Sequence, residues 1–286
     1  MKIKTFREVA QRYKAIFFDS FGVVKHYSGL ISGVHETFHF LDEAGIEYLM
    51  LTNVASRSPQ QMADGFARLG LPQITTDRII SSGMMAQEYL RYKVRDGKAV
   101  YVGTENSAHY IAETGLQIVS IEDLDLAELD DINALVFLDD EGYDWRTAVN
   151  KSINLLRKKN IPVVVANTDV AYPVSRGELA MAIGGLAEMI EKVVNKNFIH
   201  FGKPDGQMFI YAYQELLKRK QIRKDEILMV GDTLYTDIIG GNKFGIDTAL
   251  VLSGNTQPKN AKSLIKNMGI KPDYICESIA LSTPDL

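Results

Sequence analysis

Ile227-Leu228-Met229-Val230-Gly231-Asp232-Thr233-Leu234-Tyr235-Thr236-Asp237 is the stretch that decides the fold. Four apolar residues run without a polar break into a glycine and an acid, and a second acid follows five positions later. A short, continuous apolar run closed by such a signal reads as a strand buried on both faces, which is the mark of a parallel sheet. Asp232 then stands at the carboxyl end of that strand, and the spacing predicts Asp237 on the first turn of the following helix. Two carboxylates that close repel each other unless a cation joins them. A hard divalent ion such as Mg²⁺, which takes a few carboxylates together with water and phosphate oxygen, suits the pair. The bland alternative is a pair of helix-capping aspartates.

Three other stretches end in the same way. Ala15-Ile16-Phe17-Phe18 runs into Asp19, Glu47 to Leu51 runs into Thr52-Asn53, and Phe198 to Phe201 runs into Gly202-Lys203-Pro204-Asp205. In open α/β sheets ligands bind outside the carboxyl ends of the strands, so these stations are expected along one sheet edge. There, Asp19 is a candidate nucleophile and metal ligand. Thr52 and Asn53 offer a hydroxyl and backbone N–H groups to an anion. Lys203 can offset the repulsion between an attacking carboxylate and a phosphate. Taken one at a time, each has an ordinary reading as a turn, cap or solvated side chain.

The chain between the second and third stations carries its own strand and helix signals. Strands are predicted at 98–102, 116–119, 134–138 and 161–166, with a helix over 147–158. An inserted domain at 83–182 follows, within a main domain of residues 1–82 and 183–286. In the main domain, helices are predicted at 1–13, 33–44, 59–69, 206–219 and 236–244. Gly240 and Gly241 lie inside the last of these and read as close-packing positions rather than a phosphate loop.

Composition narrows the function. The chain has 286 residues, 46% hydrophobic and 24% charged, with a formal net charge of −4. That balance implies no general affinity for nucleic acid or for an anionic membrane. The single cysteine, Cys276, excludes an internal disulfide framework and fits a reducing compartment. The N-terminus lacks the apolar core of a secretory signal, and no apolar run spans a bilayer. A cytoplasmic protein is expected, and the sequence carries no signal for its oligomeric state.

The ordered set Asp19-x-x-Gly22, Thr52-Asn53, Gly202-Lys203-Pro204 and Gly231-Asp232-x-x-x-x-Asp237 resembles the haloacid dehalogenase (HAD) superfamily. The stretches from Ala166-Asn167-Thr168-Asp169 through Tyr172-Pro173, Gly184 and Leu186-Ala187 to Gly202-Lys203-Pro204, and from Val230-Gly231-Asp232 through Gly245 to Gly254, are similar to its class IIA nitrophenylphosphatase and sugar-phosphatase branch. The resemblance implies a Rossmann-like α/β core with an inserted α/β cap. It implies a phosphatase that acts on a small phosphorylated metabolite, such as a sugar phosphate, through an aspartyl-phosphate intermediate. Asp19 would be the nucleophile, with Mg²⁺ held by Asp19, Asp232 and the backbone carbonyl of Phe21, and Asp237 supporting that site from outside. Thr52, Asn53 and Lys203 would bind phosphate, and Asp169 and Tyr172, in an Asp169–Ser175 loop, would contact substrate. One position departs from the pattern: Phe21 stands where such phosphatases carry an aspartate that protonates the leaving group. Its loss would favour substrates with good leaving groups. It also leaves open a catalytically impaired phosphate sensor, or a dehalogenase-like or phosphotransfer enzyme.

Overall fold

A computed structural model describes residues 3–175 and 178–281. The chain divides into two units, one of residues 1–52, 59–80 and 203–286 and the other of residues 53–58 and 81–202.

The first unit is built on a six-stranded sheet. Its central strand, Ala15–Phe18, is flanked by Ile227–Gly231 on one side and Glu47–Thr52 on the other, all parallel. All four side chains of Ala15–Phe18 are buried, as a strand covered on both faces requires. Asp247–Val251 and Tyr274–Cys276 continue the sheet beyond Ile227–Gly231, and Ile79–Ser81 lies beyond Glu47–Thr52. The register carries the site: Phe18 pairs with both Val230 and Met50. Asp19, Thr52 and Asp232 therefore all lie within two residues of one line across the sheet, at the carboxyl ends of three neighbouring strands.

The helices of this unit follow their sequence signals closely. Val34–Glu43 buries Val34, Thr37, Phe38, Phe40 and Leu41. Gly206–Arg219 begins where Asp205 accepts a hydrogen bond from the Gln207 N–H at 2.9 Å. The N-terminal helix is shorter than expected, only Phe6–Ala10, and Lys4 instead bridges to Cys276. The stretch after Asp232 also differs. Leu234–Ile238 is a π-helical turn, and Ile239–Phe244 continues it as α-helix. Gly240 and Gly241 are packing positions, as expected: a Cβ on Gly240 would lie 2.7 Å from the Phe209 ring, and one on Gly241 would lie 2.6 Å from Thr248 Cγ2.

The second unit has its own parallel sheet of five strands, in the order Ile199–His200, Val163–Val165, Ile132–Phe137, Lys98–Val102 and Gln117–Ser120. An antiparallel hairpin pairs Ala171–Ser175 with Glu178–Met181. The boundaries expected from sequence are corrected at both junctions: residues 53–58 and 81–82, expected in the main domain, fall in this unit, and the larger change is at its other end. Residues 183–202 belong with this unit rather than with the main domain. Helix Ile183–Val194 puts Ile183, Leu186, Ala187 and Ile190 into the same apolar core as Val100, Leu135, Phe137 and Val163. Ile199–His200 then adds the sheet's edge strand. The chain must complete that core and that edge before it can leave, and the apolar spacing of the helix does not say which core it serves.

Ile190 is fully buried in this cluster. Ile190→Ala is expected to cost about 2–5 kcal/mol. Hydrogen exchange should speed up in strands 132–137 and 163–165 and stay unchanged in 227–231. Equal acceleration in both sheets would contradict the boundary.

Candidate active site

The centre of the site is Lys203. Its ammonium donates to Asp19 Oδ1 at 2.5 Å and lies 2.7 Å from Asp237 Oδ1, and its side chain is only 2% exposed. Burial alone would push an ammonium toward its neutral form. The two carboxylates outweigh that effect, and the Lys203 pKa is raised. This lysine is therefore a fixed positive charge, and the solvated alternative for it is excluded.

Asp232 is, with Asp237, a buried carboxylate of the site. It is 3% exposed, and its carboxylate is held by the Thr233 hydroxyl at 2.8 Å and the Asn255 N–H at 2.6 Å. Burial pushes its pKa up to about 8, and the charges of Asp19 and Asp237 push the same way. Asp237, 1% exposed, is raised by burial to about 7, against the pull of Lys203. The Thr233 N–H donates to its other oxygen at 3.1 Å.

Glycines make the close approach possible. A Cβ on Gly22 would collide with the Asp232 carboxylate and lie 2.8 Å from the Gly254 Cα. A Cβ on Gly254 would meet the same carboxylate, and one on Gly231 would meet that of Asp237. Gly22 also has φ +74°, a left-handed value that strains any other residue. Ser253 clamps this turn by donating its hydroxyl to the Gly22 carbonyl at 2.7 Å.

Asp19, Asp232 and Asp237 each place one carboxylate oxygen within 4.8 Å of the others. Among the described residues, this is the group arranged to hold a metal ion. Three carboxylates face one ammonium, and burial opposes the excess negative charge. An all-oxygen set of this kind fits a hard divalent cation.

The other expected site residues fall as follows. Thr52 is buried at the end of its strand, on the same sheet edge as Asp19. Phe21 sits in the turn after Asp19 and exposes its ring, at 49%, with the Lys25 ammonium 4.6 Å from the ring centroid. Asn53 and Asp169 meet in the second unit, where the Asn53 amide donates to Asp169 Oδ1 at 3.0 Å and to the Thr168 hydroxyl at 3.2 Å. Tyr172 lies on a strand rather than in a loop, because Ala171–Ser175 pairs with Glu178–Met181. Its hydroxyl donates to Asp140 Oδ2 at 2.7 Å. Asp140 was not singled out from sequence. It follows the strand Ile132–Phe137, so the strand-end rule that found Asp19 would have pointed to it. Ser253 and Asn255 carried no such signal, since their role depends on the turn they close.

The comparisons with known proteins agree with this geometry. Residues 16–117 match the model of haloacid dehalogenase-like hydrolases, and residues 200–281 match a second, HAD-hydrolase-like model. A solved structure described as a possible sugar phosphatase of the HAD superfamily, from Cytophaga hutchinsonii, is 51% identical. It covers 99% of this chain and 100% of its own, with a TM-score of 0.95. Bovine chronophin is 26% identical over 281 residues, which cover 96% of this chain and 93% of that protein. Ribonucleotide monophosphatase NagD of Escherichia coli K12 is 26% identical over 272 residues, covering 93% and 97%. This chain belongs to the haloacid dehalogenase-like hydrolases.

Two outcomes follow from the charge arrangement. Lys203→Met should destabilise the fold by about 3–5 kcal/mol in chemical denaturation, because Asp237 stays buried without its counter-charge. An unchanged midpoint would remove the lysine from the structural account. A hard divalent cation that binds this cluster should raise the melting temperature more at pH 8.5 than at pH 6. Burial favours the protonated form of Asp232, so at the lower pH the cation has to displace a proton. A larger rise at the lower pH would contradict the assignment.

Proposed function

We propose that this protein is a phosphatase that hydrolyses the phosphoric monoester of a small metabolite, with Asp19 as nucleophile and Mg²⁺ as cofactor. The observation that carries the reading is the contact between Lys203 and Asp19, beside two further buried carboxylates. A carboxylate attacking a phosphate dianion meets like charge, and a fixed, dry ammonium relieves that repulsion at the point where it is greatest. Two of the relatives carry phosphatase names, the ribonucleotide monophosphatase NagD and the structure described as a possible sugar phosphatase, and they support the same class of reaction.

Asp19 and Asp232 would hold the cation, with the carbonyl of Phe21 as a further oxygen and Asp237 behind them. When bound, Mg²⁺ supplies positive charge for the phosphoryl oxygens. The protein's own groups carry the rest. Lys203 aims one of the Asp19 oxygens. Asp19 attacks phosphorus, the bond to the leaving oxygen breaks, and the phosphoryl group rests on the aspartate as an acyl phosphate. Water then attacks phosphorus, releases phosphate and restores Asp19. Thr52 would hold a phosphoryl oxygen at the strand end, and the backbone at Asn53 would add donors.

Selectivity is assigned to the second unit. Tyr172, with its hydroxyl bonded to Asp140, is the side chain proposed to contact the substrate beyond its phosphate. A screen of phosphorylated metabolites should give phosphate release in Mg²⁺ that EDTA abolishes. Asp19→Asn should retain no turnover on the best substrate. Ligand binding without any turnover in the native protein would favour the sensor reading instead. Tyr172→Ala should change the ratio of kcat/KM between the two best substrates by tenfold or so, an effect of about 1.4 kcal/mol. An unchanged ratio would take Tyr172 out of the substrate site.

A further inference from the structure

Asp232 and the turn after Asp19 are far apart in sequence, and one short segment touches both. Ser253-Gly254-Asn255-Thr256-Gln257 follows the strand Asp247–Val251. The Ser253 hydroxyl donates to the Gly22 carbonyl at 2.7 Å. The Asn255 N–H donates to Asp232 Oδ2 at 2.6 Å, and the Thr256 N–H donates to the Asp232 carbonyl at 3.2 Å. Gly254 permits the approach, since a Cβ there would collide with the Asp232 carboxylate and lie 2.6 Å from the Gly22 Cα.

The Asn255 side chain adds a second hold on the same carboxylate. Its amide donates to the Thr233 hydroxyl oxygen at 2.9 Å, and that hydroxyl donates to Asp232 Oδ1 at 2.8 Å. A hydroxyl has a single proton, so with Asn255 donating to its oxygen the proton is directed at Asp232. Both Asp232 oxygens are thus tied to Asn255, Oδ2 directly and Oδ1 through Thr233. The carboxylate cannot turn without breaking one of these bonds. Asn255 itself is exposed, so packing in a core does not account for an amide at this position.

The segment is anchored on both sides. The Gln257 amide donates to the Gly254 carbonyl, and the Gln257 N–H donates to Asn260 Oδ1 at 3.0 Å, at the start of helix Pro258–Met268. Leu252, one residue before Ser253, and Leu234, one residue after Thr233, are buried in one apolar cluster with Ile238, Leu250 and Ala261. The two ends of the bond between Asn255 and Thr233 therefore ride on a single core. The turn after Asp19 is fixed as well. Its Gly22 N–H donates to the Lys25 carbonyl at 2.8 Å. The Phe21 carbonyl belongs to the same planar, trans peptide and so points the opposite way. Ser253 holds the next carbonyl along, and two successive peptides are locked.

We propose that Asn255 and Ser253 are positioning residues that fit the cation site to a small, octahedral ion and set it against a larger one. Mg²⁺ demands near-ideal octahedral geometry at about 2.0–2.1 Å, whereas Ca²⁺ accepts roughly 6–8 oxygens at about 2.3–2.6 Å and readily takes a carboxylate by both oxygens. A carboxylate that already accepts one hydrogen bond at each oxygen, and cannot rotate, offers its remaining lone pairs in fixed directions. That suits Mg²⁺ and penalises capture by both oxygens. Without the Asn255 amide the Thr233 hydroxyl is free to turn away. Asp232 Oδ1 then loses its directed donor, and the carboxylate can swing to meet a larger ion.

The proposal rests on the cation reading given above, and its test separates the two without any assay of phosphate release. Calorimetric titration of the full chain with Mg²⁺ and with Ca²⁺, in the absence of substrate, gives the ratio of the two affinities. Asn255→Ala should lower Mg²⁺ affinity by roughly 10–100-fold. Ca²⁺ affinity should fall much less, so the ratio moves toward Ca²⁺. Thr233→Val should do the same, and the double variant should do no more than either single one, since Asn255 acts through Thr233. Ser253→Ala should also weaken Mg²⁺ binding, and Ser253→Thr, which keeps the hydroxyl, should retain it. A general loosening of the fold would lower both affinities together. Equal losses for the two ions, additive effects in the double variant, unchanged Mg²⁺ affinity, or a native protein that prefers Ca²⁺ would overturn the clamp while leaving the site a cation site. A native protein that binds neither ion would overturn the cation reading, and this proposal with it.

Discussion

One ammonium set among three carboxylates governs this structure. Lys203 is nearly inaccessible to water and touches Asp19 and Asp237, and Asp232 is buried close by. Removing these charges from water is expensive, and a single cation does not balance them. The surroundings compensate with directed hydrogen bonds from Thr233 and Asn255 and with glycines wherever a Cβ would hold the carboxylates apart. The excess negative charge that remains suits a hard cation, and the ammonium offsets part of the repulsion that a phosphate would meet from the same carboxylates.

The sheet is what allows groups so distant in sequence to meet. Asp19, Thr52 and Asp232 follow three adjacent parallel strands in matching register. Parallel strands need long connections, and those connections leave and return at the ends of the strands. Residues 53–58 and 81–202 use this freedom to form a second unit, outside the strands whose ends carry the chemistry. The last crossing, at residues 202–203, places Lys203 at the first position after that unit closes. Its role as a charge in the site is thus coupled to where the insert ends.

Much of this was legible in the sequence, because strand-end polarity is a local pattern. Asp19, Thr52, Lys203 and Asp232 stood at the ends of apolar runs and Asp237 followed Asp232 by five positions, and the structure brings Asp19, Lys203, Asp232 and Asp237 together. What local pattern could not carry was partnership across distance. The helix Ile183–Val194 shows its apolar face equally to any core, so its assignment to the second unit required the tertiary contacts of Ile183, Leu186 and Ile190. The pairing of Asn53 with Asp169 and of Tyr172 with Asp140 was hidden for the same reason. The π-helical turn at Leu234–Ile238 accommodates Asp237 beneath the Thr233 N–H, and nothing in its residue types announces a π-turn. Phe21 shows a related limit. From sequence it reads as a loss, whereas in the structure it is one wall of the place where Lys25 sits.

The central claim is that Asp19 carries the phosphoryl group during turnover. Rapid quenching of the working enzyme, followed by borohydride reduction and peptide mass mapping, tests it directly, because an acyl phosphate is reduced to an alcohol at the residue that bore it. Asp19 is expected to be converted, in proportion to the steady-state intermediate. Conversion of a different residue, or none at all while phosphate is being released, would contradict it.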